Sequence, residues 1–293
     1  MSAGAMTDDQ WTVRRILDWT ITYLKEHGSE SPRLDAEVLL AHARKCQRIQ
    51  LYTRYEEPLS QHERQVMRDL VRRRAAAEPV AYLVGHREFF SLDFIVRPGV
   101  FIPRPDTEIL VMAALDRLQG RPSPSLLDLC TGSGCVPIAI GKNHPVVQLT
   151  AVEENDIPFR TAAENVAKHA LDERFMLLQG DLFKPVPPGA KFDVITSNPP
   201  YVTTAEMARL PDDIRKHEPS TALEAGADGL DAIRRIIEDS PAQLKPNGWL
   251  LFELSPEQAP ASCDLLKARG FQSVGSENDL SGQPRIVVGQ WPG

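Results

Sequence analysis

From Pro105 to the end of the chain, short apolar runs of strand length alternate with stretches of helical period. No other feature restricts the possible folds so strongly. Residues 125–129, 148–152, 175–179, 192–196 and 249–254 read as strands, with one more over 285–289. Helical patterns fall at 106–118, up to 142, and at 157–169, 230–239 and 256–268. Strands separated by helices pair in parallel through crossovers, and such a sheet must be covered on both faces. The predicted class is therefore α/β, a doubly wound domain.

The first 85 residues lack that alternation and read as helices. Ile16, Leu17, Thr20, Ile21 and Leu24 recur at helical spacing, with Gly28 as a stop. Ser31-Pro32 suits a helix start, after which Leu34, Val38, Leu39 and His42 are predicted to share one face. Ser60 and Glu63 form a capping-box pattern that opens a third helix, running to about Ala77. Arg72, Arg73 and Arg74 complement the dipole at its end and are read as solvated. Phe89, Phe90, Leu92, Phe94, Ile95 and Val96 switch to a β pattern, expected to be a hairpin linker. The expected organisation is a helical domain (1–85), a β-hairpin linker (86–104) and an α/β domain (105–293).

Composition excludes several classes. The 33 Lys and Arg against 40 Asp and Glu leave a formal charge of −7, which weighs against general binding of nucleic acid. Four scattered cysteines do not make a disulfide framework, and the seven histidines show no metal-ligand spacing, so no metal is expected. No run approaches the roughly 18 apolar residues of a membrane span. The polar stretch 1–10 has neither signal nor transit-peptide character, which predicts a cytoplasmic protein.

In an open α/β sheet, ligands bind beyond the carboxyl ends of the strands, so the strand ends hold the candidate site. After the first strand come Asp128 and the turn Cys130, Thr131, Gly132, Ser133 and Gly134, small residues that let the backbone approach a ligand. The turn lacks the lysine of a phosphate-binding P-loop. Glu153 ends the second strand, 19 residues after Gly134, where a carboxylate can accept from both hydroxyls of a ribose. Asp181 and Leu182 follow the third strand, placed to accept from an adenine amino group and to pack on its ring. The fourth strand runs into Asn198, Pro199, Pro200 and Tyr201. There the prolines hold the backbone so that the Asn198 side-chain oxygen and the Pro199 carbonyl converge as acceptors, with Tyr201 as a wall. That pocket suits a planar group bearing N–H donors, an amide or an aromatic amine.

The Asn198-to-Tyr201 sequence resembles the signature of S-adenosyl-L-methionine-dependent methyltransferases acting on planar nitrogens, either adenine N6 in DNA or glutamine N5 in proteins. Further stretches resemble the release factor glutamine methyltransferases, the PrmC/HemK family. They are Phe101 through Glu108, Gly85 through Phe90, Arg33 through Glu37, Glu218-Pro219, Ala222-Leu223 and Gly226 through Leu230. The resemblance covers nearly the whole chain. It implies a class I (Rossmann-like) methyltransferase domain and S-adenosyl-L-methionine held by residues 130–134, Glu153 and Leu182, with Asp128, Asp181 and Asn198 also expected at the cofactor. The substrate would be a release factor whose Gly-Gly-Gln glutamine is clamped at Asn198–Tyr201. It further implies that the helical domain holds that protein. A monomer with no direct nucleic acid partner is expected. DNA adenine and ribosomal-protein glutamine methyltransferases are the alternatives. Two positions depart from the family pattern: Cys130 stands where glycine is usual, and Glu153 where aspartate is usual.

Overall fold

The computed structural model describes residues 11–293; the stretch 1–10, read above for targeting signals, lies outside them. The chain divides into two compact units, one of residues 1–85 with Asp212–His217, the other of 86–211 with 218–293.

The helical unit contains α1 (Val13–Glu26), α2 (Pro32–Arg44), α3 (Arg48–Thr53), α4 (Gln61–Ala75) and α5 (Val80–Val84). Thr12 caps α1, and the capping box of α4 is reciprocal: Glu63 N donates to Ser60 Oγ and Ser60 N to Glu63 Oε2. Leu17, Leu24, Leu39, Leu40, Leu51, Leu70 and Val71 form its core. The face expected of α2 is corrected. Leu34 and His42 are exposed, while Ala36, Leu39, Leu40 and Ala43 are buried. Asp35 and Glu37 are buried too, because each has partners. Glu37 accepts from Arg33, Arg48 and Tyr52, and Asp35 from Ser29 and Arg74. The solvated reading of the arginine run holds for Arg72 and Arg73, both exposed, and fails for Arg74. Arg73 also pairs with Glu78, and Arg74 is part-buried between Asp35 at 2.7 Å and Asp213 at 3.8 Å.

The second unit opens with the hairpin β1 (His86–Phe89) and β2 (Leu92–Ile95), whose turn residues Phe90 and Ser91 both take positive φ. Seven further strands form one sheet: β3 (Ser125–Leu129), β4 (Gln148–Glu153), β5 (Phe175–Gln179), β6 (Phe192–Ser197), β7 (Leu244–Glu253), β8 (Gln272–Asn278) and β9 (Pro284–Trp291). Their order is β5-β4-β3-β6-β7-β9-β8, parallel through β7 and antiparallel at β9 and β8. The helices of this unit are α6 (Glu108–Leu118), α7 (Cys135–Asn143), α8 (Asp156–Lys168), α9 (Thr204–Met207), α11 (Asp231–Asp239) and α12 (Ala259–Arg269); the Asp212–His217 segment of the other unit is α10. Two apolar clusters hold it together, one around Leu110, Ile138 and Leu149, the other around Ile195, Ile233 and Phe252. The architecture is the expected doubly wound α/β class.

Strand β8 has no counterpart in the sequence reading. Its residues, QSVGSEN, are polar, and it is an edge strand that takes its regularity from β9. Strand β7 begins five residues before the expected start, since Pro246 and Gly248 break the pattern while a register shift against β6 absorbs them. Among the described residues no helix is long and apolar enough to cross a membrane.

Candidate functional site

Strand order reverses between β3 and β6, and the residues singled out at the strand ends converge there. Two buried hydroxyls tie the ends together: Thr196 Oγ1 donates to Asp128 Oδ1 at 2.7 Å and Ser197 Oγ to the Leu129 carbonyl at 2.9 Å. Burial, reinforced by the charge of Glu153, pushes the Asp128 carboxyl up to about 7 despite the Thr196 bond.

The turn after β3 winds through positive φ at Cys130 (56°), Gly132 (58°) and Gly134 (79°). Cys130 is the one member with a Cβ in this region, a strain of about 1–2 kcal/mol that a glycine would avoid. Burial pushes its thiol up to about 12, so it stays protonated. Asn165 on α8 anchors the turn, donating from Nδ2 to the Ser133 carbonyl (2.9 Å) and the Ile95 carbonyl (3.0 Å) while accepting from Ile95 N. Thr131 Oγ1 and Ser133 Oγ are buried without hydrogen-bond partners.

Glu153 is buried at the end of β4. Its Oε2 accepts from Gly132 N and its Oε1 from Asn155 N, both at 2.9 Å, which sets the carboxylate beside the turn. Burial raises this carboxyl above the usual range, opposed by those N–H groups. Leu182 is buried against the same cavity, whereas the Asp181 carboxylate is engaged by Arg235 at 2.6 Å and Lys184 at 2.9 Å. An adenine amino group at Asp181 would therefore share it with two cations.

Beyond β6, Asn198 Nδ2 donates to Thr107 Oγ1 at 3.2 Å, which turns the amide oxygen away from Thr107. Tyr201 donates from its hydroxyl to Glu253 Oε1 at 3.1 Å, and burial pushes its phenol up. Gln258 Nε2 braces this loop from behind, donating to the carbonyls of Tyr201 (2.8 Å) and Asp228 (3.2 Å). Glu218 accepts from Ile102 N and pairs with Arg104, tying the 101–108 run to the far side of the cavity.

One cavity thus touches Asp128, residues 130–133, Glu153, Asp181, Leu182, Asn198, Pro200 and Tyr201. Gly134 caps α7 behind the turn, and Pro199 is buried between the cavity residues Asn198 and Pro200. Thr107, Glu253, Gln258 and Arg235 were not among the expected site residues. Glu253 carried a signal, a lone carboxylate at the carboxyl end of an apolar strand; the other three have none apart from the folded chain.

Residues 15–85 match the PrmC N-terminal domain family, and residues 91–213 the methyltransferase small domain family. The release factor glutamine methyltransferase of Rhodopirellula baltica is 45% identical over 290 residues, covering 97% of this chain and 98% of the relative. That of Geobacter sulfurreducens is 40% identical over 280 residues, covering 96% and 97%. Among solved structures, a methyltransferase from Pyrococcus furiosus matches with a TM-score of 0.51 at 17% identity, over 69% of this chain and 90% of that one. A T. thermophilus 16S rRNA N2 G1207 methyltransferase, solved with AdoMet and guanosine, gives 0.52 at 17% identity, over 70% and 49%. At such identities these two structures bear on the fold alone. The relatives match over nearly their whole length, and on that ground the chain belongs to the release factor glutamine methyltransferase family.

Proposed function

We infer that this chain transfers a methyl group from S-adenosyl-L-methionine to the side-chain amide nitrogen (N5) of a glutamine in a peptide chain release factor. The observation that carries the reading is the Asn198 amide. Thr107 takes its nitrogen end, so its oxygen is the end left for a substrate.

The cavity fits the cofactor. Asp128, Glu153, Glu154 and Asp181 line it against a single arginine, Arg235, which suits a ligand bearing cationic ammonium and sulfonium groups. Thr131 Oγ1 and Ser133 Oγ supply buried polar atoms in want of a partner. Asp128 and the turn 130–134 would hold the methionine part, Glu153 the ribose, and Leu182 with Asp181 the adenine. When bound, S-adenosyl-L-methionine supplies a methyl group made electrophilic by its sulfonium sulfur.

The protein's task is then positioning, because a carboxamide nitrogen is a weak nucleophile whose lone pair is delocalised. Asn198 Oδ1 and the Pro199 carbonyl accept the two amide N–H bonds and fix the nitrogen's direction. As positive charge builds on that nitrogen, both acceptors bind it more strongly, which is selective stabilisation of the transition state. Tyr201, Pro200 and Phe101 border the same cavity and give it aromatic and proline walls. No strongly basic side chain is needed, since the N–H becomes strongly acidic once the nitrogen is bonded to carbon, and its proton passes to solvent as the methylated amide leaves.

We assign the helical unit to holding the release factor and take the chain to act as a cytoplasmic monomer without a nucleic acid partner. The match of residues 15–85 to the PrmC N-terminal domain supports the first of these. Incubation with methyl-labelled cofactor and either release factor or duplex DNA tests the reading: label enters the glutamine of the release factor, and label in DNA instead overturns it. Asn198→Ala is expected to lower kcat by about a hundredfold with cofactor affinity retained. Near-normal turnover in that variant would remove the clamp from the mechanism.

A further inference from the structure

The chain enters α6 through a single 3₁₀ turn, Pro105–Thr107, in which Thr107 is buried. One such turn has little stability of its own, and Arg104 at its start lends it no capping hydrogen bond. Thr107 nevertheless has to be held in place. Its Oγ1 accepts from Asn198 Nδ2 at 3.2 Å, the bond that leaves the amide oxygen for the substrate.

Side chains flanking Thr107 supply the anchors. Arg104 pairs with Glu218, and Glu108 Oε1 accepts from Phe90 N at 2.9 Å. Asp106, the immediate neighbour of Thr107, is met by Arg285 of β9, whose Nη2 stands 3.3 Å from Asp106 Oδ2 and 3.2 Å from Asp279 Oδ2. Asp279 is itself fixed, since its Oδ1 accepts from Ser281 N (2.9 Å), Ser281 Oγ (2.6 Å) and Gln283 N (3.0 Å). Arg285 is fixed at its backbone, where its carbonyl accepts from Leu254 N at 3.1 Å. The turn between β8 and β9 is thus a firm mount, and its arginine reaches across to the residue beside Thr107. Asp106, Asp279 and Arg285 do not border the cavity, and the mechanism above uses none of them.

We propose that Arg285 is a positioning residue for methyl transfer: held by Asp279, it fixes Asp106 and through it the Thr107 hydroxyl that orients Asn198, an assignment that rests on the glutamine reading above. Arginine suits the task, because a guanidinium on a long stem can serve two carboxylates at once. With Asp106 released, the short turn gains freedom and Thr107 leaves the Asn198 amide for part of the time. A carboxamide is nearly symmetric in shape, so an unheld Asn198 then presents its donor end to some of the bound substrate. The loss falls on turnover and leaves the cofactor's own contacts intact.

The test uses the full chain with intact release factor as substrate. Arg285→Met removes the cation, Arg285→Lys keeps it, Asp106→Asn cuts the tie from its half-exposed end, and Thr107→Val removes the hydroxyl at nearly constant shape. Calorimetry with S-adenosylhomocysteine reports whether each variant retains a formed cofactor cavity. Thr107→Val should lower kcat by about tenfold, and Arg285→Met and Asp106→Asn by about fivefold each, with KM and S-adenosylhomocysteine affinity little changed. Arg285→Lys should recover most of the loss. The deciding measurement is the double variant: in the Thr107→Val background, Arg285→Met should cost no further turnover, because residues acting through one hydroxyl are not additive. Should Arg285→Met lose its cofactor cavity, Asp106→Asn decides by the same cycle. Additive losses, full turnover in Asp106→Asn, or full turnover in Thr107→Val would each overturn the proposal. A wild-type chain that leaves release factor unmethylated overturns the functional reading itself, a distinct result.

Discussion

Asp128 shows how a single buried residue couples the cavity to pH. Its carboxyl titrates near 7 in the ligand-free chain because burial opposes ionisation. A cationic ligand beside it favours the ionised form and lowers that value, so binding below pH 7 must expel a proton. Affinity for S-adenosyl-L-methionine should therefore climb with pH by up to about tenfold per unit and level off above about 7. Calorimetry in buffers of different ionisation enthalpy should register the released proton at pH 6, and Asp128→Asn should flatten the profile. A flat wild-type profile would place the cofactor's charges elsewhere. At this scale the sequence was informative wherever a residue's type and its strand-end position coincide, as for Glu153 and Asn198. It was silent on Thr107, because a threonine at the start of a helix reads as ordinary until Asn198, 91 residues away, is brought against it.

Among the elements, the loop after β6 depends on a brace that lies far off in sequence. Gly229 takes φ +71°, and a Cβ there would stand 2.2 Å from Gln258 Nε2 and 2.3 Å from the Tyr201 carbonyl. Neither the backbone nor a side chain already bonded to two carbonyls can yield easily. Gly229→Ala should lower the melting temperature by several degrees, reflecting a loss of about 1–3 kcal/mol, and reduce kcat through displacement of Tyr201. Unchanged thermal unfolding would refute the brace. The long helices and the five parallel strands were legible because apolar period and length agree in each of them. The edge strand β8, with its polar QSVGSEN, and the early start of β7 were not, since ladder partners rather than local preference hold them.

The whole molecule consists of two compact units with their own cores, and the chain enters the helical one twice, at its beginning and again through α10. Arg74 lies between Asp35 of α2 and Asp213 of α10, with only 12% of its side chain exposed. Arg74→Ala leaves the buried Asp35 without its cation and should cost the helical unit about 3 kcal/mol. Every residue of the cofactor cavity belongs to the other unit, so affinity for S-adenosylhomocysteine should not change. Urea unfolding beside calorimetry separates the two effects, and a parallel loss of cofactor binding would contradict the division. By itself, the sequence determined the fold class, the strand ends that line the cavity and the likeness to one enzyme family. These depend on local period and short contiguous motifs, which a linear reading retains. Only the tertiary structure decided which way the Asn198 amide faces, which charged groups of α2 and α4 are buried as pairs, and what supports the clamp from behind. Those depend on groups far apart in the chain sharing one low-dielectric space, where a missing partner is costly and a present one sets direction.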